Sequence, residues 1–313
     1  MTIFGWDQSH YDAPAIGNAL KEGVRFITHK AGGDSNAGDP EIDDWWSVVK
    51  GLSADTLLGA YWVPRPDLRS NAAGEADRFL ATLDAKCPGW RSRDAFILQV
   101  DAEIWNGDGA TKPSLSYLKG LCARLEVLTS GKYQPIVYAS KGQYGSSLSG
   151  LGRPLWNANY PTSATGLIST VYTRAGGDTG PGWASYSGQI PAIWQFSSSA
   201  TIGGQSTSDA NAFRGTLAQL KTLVTPGWDE DMDLTAAQID AIATAVWNHM
   251  EDDPNPDATT DRRVGGDMRM MEWRRQAMQR DIQADVASVG ARLDALAEEV
   301  ASIAAKLGTP PAS

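Results

Sequence analysis

Cysteine is scarce, with only Cys87 and Cys122 in 313 residues. Their positions match no metal-ligand spacing and no redox motif, so two buried free thiols are expected rather than a disulfide framework. Histidine is scarce too. His10, His29 and His249 are scattered and match no ligand spacing, so no metal and no other cofactor is expected. Basic charge is in deficit: 27 Lys and Arg stand against 37 Asp and Glu, for a net charge of −10 and a pI near 4.8. That balance argues against a nucleic-acid partner and against an anionic membrane surface. No run of eighteen apolar residues occurs, so neither a transmembrane helix nor stable membrane insertion is expected. The first residues hold neither the basic nor the apolar stretch of a Sec signal, and synthesis into the cytoplasm is expected.

What is plentiful is tryptophan, with twelve residues. Large aromatic faces suit sugar rings, and they are equally ordinary core material. Strand-like and helix-like stretches alternate along the first two thirds of the chain. Strands are expected at Ile3–Trp6, Val24–Lys30, Leu57–Val63, Ala95–Asp101, Pro135–Ala139, Leu155–Ala158 and Ile190–Phe196. Between them, Asp12 with Pro14, Asp39 with Pro40, Asn71 and Ser114 mark helix starts. A closing helix is expected from Phe213 to Leu223, and Val171 is a candidate for one more strand. The Gly/Ser-rich segment 161–189 reads as a long loop over the site. This alternation predicts an α/β fold with a parallel sheet, and at this length a (β/α) barrel of the flattened, TIM-like kind.

In such barrels chemistry gathers at the C-terminal ends of strands. Asp7 ends the first strand, and the apolar run Phe96–Val100 ends in Asp101 and Glu103. Strand side chains alternate faces, so these two acids share one, with Cβ atoms roughly 6.5–7 Å apart. Their repulsion should raise one pKa and keep that group protonated near neutrality. An acid beside a carboxylate is what glycoside hydrolysis needs. Trp194-Gln195 lies in the last strand, and Asp209 follows shortly after it. Four acids would then meet at one rim.

Six short motifs, in order, resemble the family 25 glycoside hydrolases, muramidases that cut peptidoglycan. They are Gly5-Trp6-Asp7 with Ser9, Tyr61-Trp62-Val63-Pro64-Arg65, Asp101-Ala102-Glu103, Trp156-Asn157-Ala158-Asn159-Tyr160, Trp194-Gln195 and Asp209-Ala210-Asn211-Ala212-Phe213. Two departures stand out. Trp62-Val63 replaces a usual His-Phe, and Lys30-Ala31-Gly32-Gly33 lacks the acid that often follows the second strand. The resemblance implies Glu103 as general acid and Asp101 as stabiliser of the anomeric carbon. Asp101 would act either as a nucleophile or by orienting the substrate's own acetamido group. Asp7 and Asp209 would tune pKa values and hold substrate. Tyr61, Arg65, Trp156, Tyr160, Trp194 and Gln195 are the expected substrate-binding residues, with core packing the competing reading for each of the four aromatic residues.

The resemblance covers residues 1–223 and stops there. Residues 224–233 read as an acidic linker, and a capping box at Thr235–Gln238 opens a short helix within 234–252. A second linker spans 253–266, and residues 308–313 read as a disordered end. Between them, residues 267–307 read as one long helix in an all-α tail. There Ile282, Val286, Val289, Leu293, Leu296, Val300, Ile303 and Leu307 recur at steps of four and three, a coiled-coil seam. A homo-oligomer through this helix is expected. Joined heads would raise effective concentration on an insoluble polymer. The expected setting is a bacteriophage endolysin, held in the host bacterial cytoplasm until released to act on peptidoglycan. The alternative is a virion-associated tail protein that binds or locally opens the wall. A bacterial autolysin or secreted toxin is disfavoured by the missing signal.

Overall fold

A computed structural model describes residues 1–12, 15–34, 38–103 and 111–226. The expected helices and linkers of the tail beyond residue 226 lie outside the described residues. Nine strands are described: β1 (Ile3–Gln8), β2 (Val24–Gly32), β3 (Leu57–Trp62), β4 (Ile97–Asp101), β5 (Ile136–Tyr138), β6 (Leu155–Ala158), β7 (Gly166–Leu167), β8 (Ile193–Ile202) and β9 (Gln205–Phe213). The helices are α1 (Ile16–Lys21), α2 (Ile42–Val49), α3 (Ala72–Lys86), α4 (Leu115–Leu128), α5 (Lys141–Tyr144), α6 (Ile168–Arg174) and α7 (Leu217–Val224).

Strands β1 to β6 pair in parallel, each with the next in the chain. Strand β6 pairs in parallel with β8, β8 is antiparallel to β9, and β9 is antiparallel to β1. These pairings close an eight-stranded barrel, and β7 adds only an outer pairing to β8. The parallel barrel of the sequence reading is present, with one antiparallel strand that reading lacked. The missed strand is β9. Phe213 ends it rather than opening a helix, and α7 starts at Leu217 behind a Thr216–Gln219 capping box.

Two cores result from side-chain alternation. Outward-facing residues such as Trp6, Ile27, Leu98, Val100 and Leu155 pack under the helices. Inward-facing Phe26, Ile97, Ile136, Trp156, Ile193 and Phe213 fill the barrel, and Leu220 and Val224 of α7 close its base. Gly5 makes this filling possible: a Cβ there would lie 2.1 Å from the Phe26 ring. Gly59 likewise leaves room for Ile97, whose Cβ a methyl there would meet at 2.4 Å.

Several helix starts behave as their sequences dictate. The Asn71 side chain accepts from the N–H groups of Ala73 and Gly74 to cap α3, and Ser114 accepts from Tyr117 to cap α4. Asp12 does not cap α1, which begins four residues later without a side-chain cap. Asp39 accepts from the N–H of Glu41, in the turn before α2. Val171 belongs to helix α6, not to a strand. Nor is segment 161–189 a loop over the site, because Ile168, Val171, Tyr172 and Trp183 are buried in the outer core.

Candidate active site

The inner faces of three strands run from apolar to amide to acid, or nearly so. Ile3, Gly5 and Asp7 share a face on β1, Ile97, Gln99 and Asp101 on β4, and Phe213, Asn211 and Asp209 on β9. Since β9 runs antiparallel, its order reverses and its acid still reaches the same rim. The hydrophobic layer excludes water below, and the middle layer supplies hydrogen bonds. Thr28 donates to Gln99 at 2.9 Å, and Trp156 Nε1 donates to Asn211 Oδ1 at 2.8 Å.

The upper layer lines a cleft of about 310 Å³. Asp7, Asp101, Glu103 and Asp209 all border it, with Tyr61, Tyr138, Tyr160 and Gln195. Gln195 organises one side. Its Nε2 donates to both oxygens of Asp7, at 3.1 and 2.9 Å, and its Oε1 accepts from Tyr138 at 2.6 Å and from Tyr160. Asn211 Nδ2 donates to Asp7 Oδ1 as well. Asp7 thus has amide donors but no cation among the hydrogen bonds described.

All four acids are pushed above the usual carboxylate range, and burial is the first cause in each. Asp7 rises to about 7, with the Asn211 and Gln195 hydrogen bonds opposing. Asp101 is raised well above the usual carboxylate value by burial, then by repulsion from Glu103 and Asp7, and its Oδ1 has no hydrogen-bond partner among the described residues. Asp209 rises from burial, then from the charge of Asp7. For Glu103 the Tyr138 hydroxyl opposes burial. That phenolic proton also faces Gln195 at 2.6 Å, so it cannot serve Glu103 fully. Desolvation, rather than the mutual repulsion expected of two acids on one strand face, is thus the leading cause. Such a cluster titrates as a unit and cannot carry four negative charges together.

The other expected binding residues divide. Tyr61, Tyr160 and Gln195 border the cleft. Trp156 has no exposed surface and lies in the barrel interior, edge-on to Phe26 and Tyr138. Trp194 has none either: it faces outward, against Trp183, Tyr172 and Phe196. Its Nε1 donates to the Asn159 carbonyl at 2.7 Å. Neither tryptophan offers a ring face to a sugar. Arg65 is buried and turned to Asp67, with Nη2–Oδ2 at 2.6 Å, and to the Asp34 carbonyl at 3.1 Å. It braces loops beside the cleft.

Residues the sequence reading did not select also line the cleft: Ser9, Tyr11, Asp12, Tyr138, Gln205 and Thr207. Tyr138 had a signal, since it sits on the last residue of a short strand. Gln205 and Thr207 had one too, the Gly203-Gly204 pair that turns β8 into β9. His29 is pushed down to about 4 by burial and stays neutral, with Nδ1 2.9 Å from the Lys30 carbonyl oxygen.

No protein-family model matches the chain, and no curated protein matches its sequence. Solved structures do match. A family GH25 lysozyme from Aspergillus fumigatus is 23% identical with a TM-score of 0.54, over 72% of this chain and 100% of that one. A muramidase from Trichobolus zukalii is 21% identical with a TM-score of 0.51, over 71% of this chain and 98% of that one. The catalytic domain of endolysin ply40, from bacteriophage P40 of Listeria monocytogenes, is 17% identical with a TM-score of 0.51, over 71% and 98%. The barrel of this chain therefore has the fold of the family 25 lysozymes.

Proposed function

We propose that the protein is an N-acetylmuramidase that hydrolyses the β-1,4 bond between N-acetylmuramic acid and N-acetylglucosamine in peptidoglycan. The observation that carries this reading is the meeting of Asp7, Asp101, Glu103 and Asp209 at one cleft on the C-terminal rim of the barrel. The lysozyme fold of the structural neighbours supports it.

Glu103 protonates the glycosidic oxygen as the C1–O bond breaks, releasing the leaving sugar as an alcohol. An acid needs a raised pKa for this role, and burial supplies one. Positive charge grows at the anomeric carbon. Asp101 is buried, with one oxygen that no described residue hydrogen-bonds, so it suits accepting the N–H of the substrate's acetamido group. The acetamido oxygen then closes on the anomeric carbon, and water opens that ring after giving a proton to Glu103. Asp7, fixed by Gln195 and Asn211, supplies negative charge beside the developing cation, while Asp209, held toward its neutral form, borders the same cleft as a hydrogen-bonding group.

The setting is a bacteriophage endolysin, held in the host cytoplasm until released, with residues 267–307 joining copies of the chain. The seam of apolar residues supports the oligomer, and the endolysin among the structural neighbours is compatible with that setting. Turbidity loss of purified cell walls, with reducing-end analysis, tests the activity. Wild type should release muramic-acid reducing ends, and Glu103→Gln should fold normally and lose activity by orders of magnitude. New amines without new reducing ends would mean an amidase or peptidase. Wall binding with no product from either protein would favour a virion-associated binding role.

A further inference from the structure

Tyr11 is 81% exposed, yet it borders the same cleft as the four acids. An exposed tyrosine alone is unremarkable surface. What sets this one apart is how its backbone and ring are held. The Asp12 N–H donates to the Ser9 carbonyl at 2.9 Å, so residues 9–12 form a tight turn with His10 and Tyr11 at its tip. The Asp12 carboxylate locks that turn twice. Its Oδ2 accepts from the Ser9 N–H at 2.9 Å, and its Oδ1 accepts from Gln205 Nε2 at 2.5 Å. The tip is braced as well. His10 Nδ1 lies 2.7 Å from Oδ2 of Asp39, whose side chain is fully buried. The Tyr11 ring then rests on His10, with ring centroids 3.9 Å apart.

The turn therefore spends several hydrogen bonds on presenting a ring that joins neither hydrophobic core among the described residues. From this we infer that Tyr11 is a sugar-stacking platform, a subsite for one N-acetylhexosamine ring of the glycan at the β1–α1 side of the cleft. The inference rests on the muramidase reading and extends it. Tyrosine suits the task because a rigid amphipathic ring loses little entropy on contact and its face matches the C–H face of a pyranose. Tyr160, exposed just beyond β6, borders the same cleft. A glycan strand crossing the acids would meet aromatic rings at both places.

The test uses the full-length protein and the variants Tyr11→Ala, Tyr11→Leu and Tyr11→Phe. Calorimetry measures binding of tetra-N-acetylchitotetraose, and initial rates are taken on soluble glycan strands. Loss of the ring in the Ala and Leu variants should weaken binding and raise KM about tenfold with kcat within about twofold, whereas Phe should stay near wild type. Matching thermal midpoints would show that the turn still folds. Two variants lacking the ring keep the test decisive if one of them is unstable. Ala and Leu variants that bind and turn over like wild type would overturn the platform alone. A Phe variant as weak as Ala would overturn it as well, since the hydroxyl and not the ring face would then matter. A wild type that neither binds the oligomer nor releases reducing ends would sink the muramidase reading, and the platform with it.

Discussion

Asp7 and Asp209 stand directly opposite each other in the antiparallel ladder of β1 and β9, the pairing between the first and last strands of the barrel. Directly opposed side chains sit about 5 Å apart at Cβ, a spacing at which like charges destabilise a sheet. The pair is tolerated because Gln195 and Asn211 donate to Asp7 and because Asp209 is held toward its neutral form.

Replacing Asp209 with Asn removes the group that must be protonated in the fold but ionises in the unfolded chain. Asp209→Asn should change stability little at pH 4 and raise it by about 1 kcal/mol or more at pH 8, while lowering wall-lysing activity. Urea unfolding at both pH values measures this. An equal effect at the two values would show that the opposed acids are accommodated without cost.

The wild type should lose stability as pH rises from about 4 to 7. Asp7 has a folded pKa raised from 3.8 to about 7, and Asp101, Glu103 and Asp209 are shifted in the same direction. The folded state therefore holds more protons than the unfolded chain in that window, so unfolding becomes easier as pH increases. Below it, the opposite group takes over. Asp67 is lowered to about 2 by Arg65, and Asp84 is lowered by Arg91, so their contribution fades as pH falls through the acid range. A thermal midpoint that peaks in mildly acidic buffer is expected from calorimetry. A midpoint that climbs steadily to pH 8 would contradict the buried-acid account.

The three aromatic residues separate by role. Trp156→Ala and Trp194→Ala should each destabilise by about 3–5 kcal/mol, the ordinary cost of emptying a core. Tyr160→Ala should cost about 1 kcal/mol or less, because the residue is 46% exposed, and should chiefly raise KM. Denaturation midpoints alongside initial rates would reveal a reversed order.

Asp12 borders the cleft, and its charge lifts Asp7 and Asp209. His10 and Asp39 also face Asp12 electrostatically, with opposite signs. Asp12→Asn keeps an acceptor oxygen for the Ser9 N–H and removes one negative charge. The apparent pKa of Asp7, read from side-chain carbon-13 shifts, should fall. The acid limb of the pH–activity profile, where Asp7 gains its proton, should move toward acid with it. An unmoved Asp7 would mean that solvent screens the fifth carboxylate.

Much of this was legible in the residues. The acids at 7, 101 and 103 lie where short apolar runs end or just beyond, and strand geometry sends such residues to one rim; Asp209 was marked only by its place in the Asp209–Phe213 motif. The last strand was hidden because Gln205–Ala212 is polar and small, with no apolar period to betray it; only the Gly203-Gly204 turn marked it. Trp194 shows a different limit. Neighbouring residues on a strand face opposite ways, so Trp194 and Gln195 could never both meet a substrate, and Gln195 is the inward one. Arg65 was misplaced because a motif gives a position in the chain but not the local acid, here Asp67, that claims the side chain.

Closure between the first and last barrel strands also bears on how the molecule comes into being. Asp7 and Asn211, hydrogen-bonded across that seam, are 204 residues apart. A nascent chain leaving the ribosome holds Asp7 early and must wait for nearly the whole barrel before either amide partner arrives. Contacts of such long sequence separation make folding slow and late. Unfinished polypeptides thus carry no assembled cleft, and competence arrives in a single step, once β9 slots between β8 and β1.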